Sequence, residues 1–176
     1  MIDFRETDTF EEIHNIESNS VDVVLTDPPY ELSRDKMMML HGRFIDIARR
    51  SVIVFSKPEN QWNFDADHYL FWNKPISTKN TSKQPSRFVE MIFVYKGESW
   101  VWNSDRHWSN YVNKFDDRLI DERLHRCQKP KSLMRRLILN YSMIGDVILD
   151  PFAGSGTTLI EAEKLGRDSI GFEKSN

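Results

Sequence analysis

Short apolar runs alternate along this chain with segments in which apolar residues recur every three or four positions. The runs are typical of strands buried in a parallel sheet, and the recurring positions are typical of amphipathic helices. The predicted strands are 21–25, 51–55, 69–72, 88–95, 147–149 and 169–172. The predicted helices are 9–16, 37–48, 133–141 and 158–165. This alternation predicts an α/β fold, with a doubly wound, mostly parallel sheet that carries helices on both faces.

Two of the predicted strands run directly into turns of unusual composition. Strand 21–25 leads to Asp27-Pro28-Pro29-Tyr30, and strand 147–149 leads to a glycine-rich segment that begins at Asp150. Open α/β sheets bind their ligands at the carboxyl ends of strands. We therefore expect the two turns, although distant in the sequence, to meet at one edge of the sheet and share a cleft.

The glycine-rich turn, Gly154-Ser155-Gly156, has features of a nucleotide-binding loop. Its glycines let a ligand approach the backbone closely, and the helix that follows offers unpaired N–H groups. Glu173 lies 19 positions after Gly154, at the end of the next strand, where an acidic residue commonly binds ribose hydroxyls. Asp150 would repel a phosphate and favours an ammonium or sulfonium group. The alternative is an ordinary strand-to-helix turn without a ligand.

The place of this loop in the sequence is also unusual. In the common dinucleotide-binding fold, the glycine-rich turn follows the first strand. Here it lies near residue 154, with one predicted helix and one predicted strand after it. The order of elements is therefore circularly permuted, and the two ends of the chain must lie side by side to complete a nucleotide site.

The Asp27-Pro28-Pro29-Tyr30 turn suits a planar substrate that carries an amino group. Consecutive prolines fix the backbone and remove two N–H donors, whereas their carbonyls still accept hydrogen bonds. Asp27 and the Pro28 carbonyl could accept the two N–H bonds of such a substrate while Tyr30 stacks on its ring. The alternative is a proline-rich turn in which Asp27 caps the backbone.

Composition narrows the class of protein. The 176 residues fit one domain, and a net charge of −3 with a pI near 6.0 excludes a globally basic nucleic-acid binder. Contact with nucleic acid would need local basic patches. Cys127, the single cysteine, cannot form an internal disulfide, and no apolar run approaches the ~20 residues of a membrane span. We expect a cytoplasmic protein without a signal peptide.

Several segments of the chain resemble motifs of the amino-group DNA methyltransferases of the permuted beta class, and they follow one another in the order of that family. Residues 20–30 resemble the catalytic strand and turn of that family, and residues 150–158 resemble its cofactor loop. Weaker matches are 6–13 to the opening Gly-Asp segment, with Thr7 in place of Gly, and 71–75 and 90–97 to later core strands. Residues 125–130 are similar to the His-Pro-Thr-Gln-Lys-Pro segment and keep His125, Gln128, Lys129 and Pro130.

The resemblance implies a Rossmann-like fold and methyl transfer from S-adenosylmethionine, without a metal, to the 6-amino group of adenine in double-stranded DNA. The target base would first flip out of the duplex. By resemblance, the catalytic residues are Asp27, Pro28, Pro29 and Tyr30. The cofactor-binding residues are Asp8, Gln128, Lys129, Asp150, Phe152, Gly154, Ser155, Gly156, Thr157, Thr158 and Glu173. Asp8 equally suits a helix N-cap, and Lys129 a solvated surface charge.

Local basic residues supply candidate phosphate contacts, although such residues are as often merely solvated. They are Arg34, Lys36, Arg43, Lys74, Lys79, Lys83, Arg87 and Lys96. In a single domain spanning 1–176, the short insert 98–124 stands where the family carries a target-recognition region, which predicts relaxed specificity or a very short site. We expect the aromatic residues of the insert to pack on the core or to form a homodimer interface. They are Trp100, Trp102, Trp108 and Tyr111.

Other functions remain open at this point. Asp27, rather than Ser, at the head of the catalytic turn favours adenine, with the cytosine 4-amino group as the alternative. RNA or a protein glutamine amide would keep the chemistry and change the substrate, but Asn more often accompanies those substrates at this position. A catalytically silent nucleic-acid or cofactor-binding module is the alternative from another class. Intact Asp27, Tyr30, Asp150 and Glu173 argue against it.

Overall fold

The computed structural model describes residues 1–56, 65–73, 89–103, 114–115 and 129–174. The strands in these ranges are β1 (Ile2–Glu6), β2 (Val21–Thr26), β3 (Ala48–Ser56), β4 (His68–Asn73), β5 (Val89–Lys96), β6 (Lys114–Phe115), β7 (Val147–Asp150) and β8 (Asp168–Glu173). The α-helices are α1 (Thr9–Glu12), α2 (Arg34–Ile47), α3 (Lys131–Tyr141) and α4 (Thr157–Lys164). A 3-10 turn, Ile13–Asn15, directly follows α1.

The strands form one sheet in the order β1-β8-β7-β2-β3-β5-β4-β6. Neighbours are parallel except at β3–β5 and β5–β4, so the prediction of a mostly parallel sheet is confirmed. The unit β7–α4–β8, which is last in the sequence, lies between β1 and β2. The two ends of the chain therefore lie side by side, as the position of the glycine-rich turn predicted.

Apolar side chains fill both faces of the sheet. All six residues of β2 are buried, and successive residues of a strand point to opposite faces. Val24 packs in the cluster that contains Phe44 of α2, whereas Val23 packs in the cluster that contains Leu137 of α3. Helices on both faces confirm the doubly wound arrangement and hold the carboxyl ends of the central strands in place.

The predicted elements are present with shifted ends. Helix α2 begins at Arg34 rather than at residue 37, because Ser33 caps it by accepting a hydrogen bond from the Lys36 N–H at 3.4 Å. The predictions missed β1 (Ile2–Glu6), an edge strand whose polar and apolar residues alternate without an apolar run. Among the described helices, none combines the length and the apolar character that crossing a membrane requires.

The start of the insert packs on the core. The rings of Trp100 and Trp102 lie 5.4 and 5.1 Å from the ring of Tyr141, at the end of α3. Asn103 donates from its side-chain amide to the Leu139 carbonyl at 3.2 Å. This contact confirms the packing prediction for these two tryptophans. Trp108 and Tyr111 lie outside the described residues.

Candidate active site

The two turns singled out in the sequence lie at the same edge of the sheet. Strands β2 and β7 are parallel neighbours, with Val23 opposite Ile148 and Val24 opposite Leu149. At their carboxyl ends, the Thr26 hydroxyl donates a hydrogen bond to Asp150 Oδ1 at 2.8 Å. The turn that begins at Asp27 is thus adjacent to the turn that begins at Asp150, which confirms the predicted convergence.

Asp150 holds this edge together from a buried position. Besides Thr26, its carboxylate accepts hydrogen bonds from the Thr158 hydroxyl at 2.5 Å and from the Phe152 N–H at 3.2 Å. Burial raises the pKa of Asp150 to about 6, although these donors pull it down. Its contacts are internal: they fasten the end of β7 to β2 and to the first turn of α4.

The glycine-rich turn leaves its backbone uncovered by protein. Gly154 and Gly156 have φ of 52° and 73°, in the left-handed region that favours glycine, and Gly156 is the N-cap of α4. Apart from the adjoining residues, a Cβ added at either position would meet no atom of the described part of the chain within 4 Å. Ser155 and Thr157 share a hydrogen bond of 3.1 Å between their hydroxyls. The turn therefore presents open space to a ligand that approaches the backbone.

Glu173, at the end of β8, is tied to this turn. Its Oε2 accepts a hydrogen bond from the Gly154 N–H at 2.7 Å, and the side chain is partly exposed. Its other carboxylate oxygen makes no hydrogen bond to the described part of the chain. The acidic residue predicted from its spacing to the glycines thus lies beside them, with one oxygen left as an acceptor.

The turn between β1 and α1 lies against the same edge. The Thr9 hydroxyl donates to the Pro151 carbonyl, and the rings of Phe10 and Phe152 meet edge to face with centroids 6.4 Å apart. Asp8 caps α1 by accepting from the Phe10 N–H at 2.9 Å. An ion pair with Lys174 at 2.8 Å lowers the pKa of Asp8. The helix-cap interpretation of Asp8 is confirmed, and the cap places it next to the cofactor turn.

A cluster of charged side chains surrounds the other turn. The Lys129 ammonium donates to Asp27 Oδ2 and lies 3.0 Å from Glu90 Oε1. The Tyr30 hydroxyl donates to the same Glu90 oxygen. Asp27 Oδ1 is buried and accepts no hydrogen bond from the described residues. Within the described residues, one oxygen of the turn that begins at Asp27 therefore has unused hydrogen-bonding capacity, although protein covers it.

Burial and mutual repulsion shift the ionisation of this cluster. Burial raises the pKa of Asp27, Lys129 opposes that change, and the negative charge of Glu90 adds to it. Burial also raises the pKa of Tyr30, with Asp27 and Glu90 adding to the rise. Burial alone would lower the pKa of Lys129, but the two carboxylates raise it above its usual value, so the ammonium stays charged.

Glu90 is a site residue that the sequence predictions missed. Its side chain is 1% exposed, and it directly precedes the apolar run 91–94 of strand β5. A charged residue within an apolar strand is the signal that could have identified it, because buried charges are retained only with partners. Lys129 was predicted as a cofactor contact or a solvated charge. The solvated interpretation is wrong, because Lys129 is 10% exposed and paired with two carboxylates.

The residues predicted to contact phosphate differ in their surroundings in the structure. Lys36 lies 4.6 Å from the centre of the Phe10 ring, beside the cofactor turn, and Arg34 is the exposed first residue of α2. The prediction for Arg43 is wrong, because its guanidinium donates to the carbonyls of Ile13 and Ile16 and pairs with Asp46. Several predicted residues lie outside the described ranges: Lys74, Lys79, Lys83, Arg87 and Gln128. In the described ranges, no group of three or more acidic, histidine or cysteine side chains could hold a metal.

Three comparisons place these features among known proteins. The Type II methyltransferase M.HindIII of Haemophilus influenzae is 36% identical over 115 residues, which make up 61% of this chain. The crystal structure of the M1.HpyAVI–SAM complex superposes with a TM-score of 0.80 and 25% identity, covering 100% of this chain and 95% of that one. The PvuII DNA methyltransferase, described as cytosine-N4-specific, gives a TM-score of 0.80 at 17% identity, covering 99% of this chain and 82% of that one.

The similarity has a defined extent. The segment shared with M.HindIII makes up 35% of that protein, so this chain spans only about a third of its length. A family model described as DNA methylase, covering N6 and N4 methyltransferases, matches residues 36–176. The match includes Glu90, Lys129, Asp150 and the glycine-rich turn, whereas Thr26, Asp27 and Tyr30 precede it. The chain belongs to this family of amino-group DNA methyltransferases.

Proposed function

We propose that this chain transfers a methyl group from S-adenosylmethionine to an exocyclic amino group in DNA, with the 6-amino group of adenine as the preferred target. The adjacency of the two turns carries the proposal, because it brings an amino-binding carboxylate beside a loop suited to a nucleotide-like cofactor. The solved M1.HpyAVI structure, which contains SAM, supports the choice of cofactor. The proposal includes the circularly permuted class, a single domain over 1–176 and action in the cytoplasm.

The residues at the glycine-rich turn fit S-adenosylmethionine. Gly154 and Gly156 face open space, and Glu173 keeps one carboxylate oxygen for the ribose hydroxyls. Asp8, Phe10 and Phe152 line the neighbouring turn. Asp150 acts indirectly in this proposal, since its oxygens are occupied by Thr26, Thr158 and the Phe152 N–H. Gln128, Ser155, Thr157 and Thr158 stay predicted members of the same site.

The catalytic turn would hold the target amino group. S-adenosylmethionine would supply an electrophilic methyl group and leave as S-adenosylhomocysteine, while the amino nitrogen that forms the new C–N bond would lose one proton. Asp27 Oδ1 and the Pro28 carbonyl accept the two N–H bonds of the target, which favours a pyramidal nitrogen whose lone pair is directed away from the ring. Tyr30 stacks on the base and contributes about 1–3 kcal/mol, which helps to offset the few kcal/mol of flipping the base from the duplex. Catalysis then rests on positioning and electrostatics.

The cytosine 4-amino group is a second candidate target. The likeness to the cytosine-N4-specific PvuII enzyme supports the shared fold, and at 17% identity it does not choose between the bases. The preference for adenine rests on Asp27 at the head of the turn. The same proposal includes double-stranded DNA as substrate and relaxed specificity from the short insert. It also includes phosphate contacts from Arg34, Lys36 and the basic segment 74–96. A homodimer is part of it as well, and the partly exposed Trp102 is a candidate contact.

One experiment tests the whole proposal. The protein is incubated with labelled S-adenosylmethionine and with DNA, RNA or a glutamine-containing protein in parallel, and modified nucleosides are identified by mass. We expect the label in DNA as 6-methyladenine. Label found as 4-methylcytosine would show that the target base is cytosine and would leave the rest of the proposed reaction unchanged. Asp27→Ala should abolish transfer and keep cofactor binding. Label in RNA or protein alone, or in no substrate, would refute the proposal.

A further inference from the structure

Glu90 is a buried charged residue beside the catalytic turn, where an unpaired carboxylate would destabilise the fold. It lies on β5, opposite Trp72 of the neighbouring strand β4, and its side chain is 1% exposed. A carboxylate in such a place is strongly disfavoured unless it is paired and hydrogen-bonded. Buried ion pairs add little net stability compared with apolar side chains of the same size. Stability is therefore a weak reason for a glutamate in this strand.

The partners of Glu90 are the side chains that handle the substrate. The Tyr30 hydroxyl donates to Glu90 Oε1, and the Lys129 ammonium lies 3.0 Å from the same oxygen. Lys129 also donates to Asp27 Oδ2. Aromatic faces enclose the ammonium, with the centre of the Phe55 ring at 4.9 Å and that of Trp72 at 5.9 Å. Glu90 thus touches both the stacking ring and the lysine that fixes the amino-binding carboxylate.

We propose that Glu90 is a positioning residue for methyl transfer, which acts by holding the Tyr30 ring and, through Lys129, by orienting Asp27 so that Oδ1 faces the target amino group. This inference rests on the proposed function and deepens it. With Tyr30 and Lys129 both anchored on one oxygen, the base-stacking surface and the amino acceptor keep a fixed relation. That relation is what a reaction dominated by positioning requires.

Glu90 also sets the charge of the cluster. Two carboxylates share one ammonium, so the three ionised groups carry one net negative charge. The groups that act on Asp27 are Lys129, Glu90 and Tyr30, and buried Asp150 lies beside the same edge. Because the charge of Glu90 raises the pKa of Asp27, removing that charge lowers it. A variant without the charge should therefore move the acidic limb of the kcat profile to lower pH.

The test compares Glu90→Gln with the intact protein in steady-state methyl transfer to DNA. Glutamine keeps the volume and one acceptor oxygen but removes the charge. We expect kcat to fall at least about tenfold, as for a lost charged hydrogen bond, with KM values for S-adenosylmethionine and DNA nearly unchanged. The acidic limb of kcat should move to lower pH. Glu161→Gln is the matched control, since Glu161 is also buried and paired with a lysine, Lys164, at 2.8 Å.

The double variant with Tyr30→Phe separates positioning from general packing. If Glu90 acts through Tyr30, the losses in kcat from Glu90→Gln and Tyr30→Phe should be clearly less than additive. Wild-type kcat in folded Glu90→Gln, or an unmoved acidic limb, would overturn the inference while leaving the proposed function intact. If Glu90→Gln does not fold, unchanged kcat in Tyr30→Phe overturns it. An intact protein that methylates no DNA would overturn both.

Discussion

The Thr26 hydroxyl donates a hydrogen bond of 2.8 Å to the Asp150 carboxylate, joining residues 124 positions apart. Both residues end central strands, β2 and β7, and both are buried. The bond fixes the spacing between the catalytic turn and the cofactor turn. In the proposed function, methyl transfer depends on that spacing, because the two reacting groups would be held at the ends of different strands.

Thr26→Val should destabilise the protein by about 1.5–3 kcal/mol, the usual loss for a hydrogen bond to a charged group. Asp150 would keep two of its three donors, so its pKa should rise further. Urea unfolding at pH 7 measures the effect. Ser169→Ala is the control, because the buried Ser169 hydroxyl has no hydrogen-bond partner among the described residues. Its removal should change the free energy of unfolding by less than about 0.5 kcal/mol. Equal effects of the two substitutions would contradict the assigned role of the Thr26 bond.

The pKa of Asp150 predicts a dependence of stability on pH. Burial raises this pKa from its ordinary value of about 4 to about 6, so the folded protein binds the proton more tightly than the unfolded chain. The carboxyl therefore disfavours folding progressively as pH rises from about 4 to 6, by up to about 3 kcal/mol. Asp150→Asn removes this titration. Relative to that variant, the intact protein should lose unfolding free energy across this range, and a constant difference would refute the assignment.

The sequence predicted the strands and turns that form the site better than the side-chain contacts within it. Apolar runs such as 21–25 and the spacing from Gly154 to Glu173 follow from local patterns, and both led to structures in the expected place. Glu90 and Lys129 could not be paired in advance, because they come together only when β5 packs beside the strands that support Asp27. Arg43 shows the converse: a basic residue after the catalytic turn is used to cap the carbonyls of Ile13 and Ile16.

Substitutions at the opposite edge of the sheet, where β2 and β7 begin, should lower the stability of the fold without lowering activity. Arg50 lies 2.8 Å from Asp146 and 3.5 Å from Asp22, and both carboxylates are buried. Arg50→Ala leaves Asp146 without this ion pair, whereas Asp22 keeps Arg49 at 3.0 Å, and should cost about 3 kcal/mol. Lys164→Ala should cost less than about 1 kcal/mol, because Lys164 is exposed and Glu161 keeps Arg135 nearby. Thermal unfolding measures both, and a larger loss from Lys164→Ala would contradict this account.

The left-handed backbone at Gly156 makes a separate prediction. With φ at 73° and no neighbouring atom within 4 Å, alanine would be strained by its backbone and not by crowding. Gly156→Ala should therefore cost about 1–2 kcal/mol. Gly42→Ala is the matched control, since Gly42 lies inside helix α2 with open space around it and should gain about 0.5–1 kcal/mol. Denaturant unfolding of the two variants checks the opposite signs, and a loss of stability in both would point to a cause other than φ.

Substitution of Glu173 distinguishes a role in holding the glycine-rich turn from a role in binding the cofactor. Glutamine at this position keeps an oxygen for the Gly154 N–H, which now lies 2.7 Å from the carboxylate, but it removes the charge offered to the ribose hydroxyls. Glu173→Gln should raise the Kd for S-adenosylmethionine at least about tenfold while changing the free energy of unfolding by less than about 1 kcal/mol. Titration calorimetry measures the affinity, with Glu163→Gln as a control at an exposed glutamate. Unchanged affinity in Glu173→Gln would remove the residue from the cofactor site, and a large loss of stability would show that it serves the turn alone.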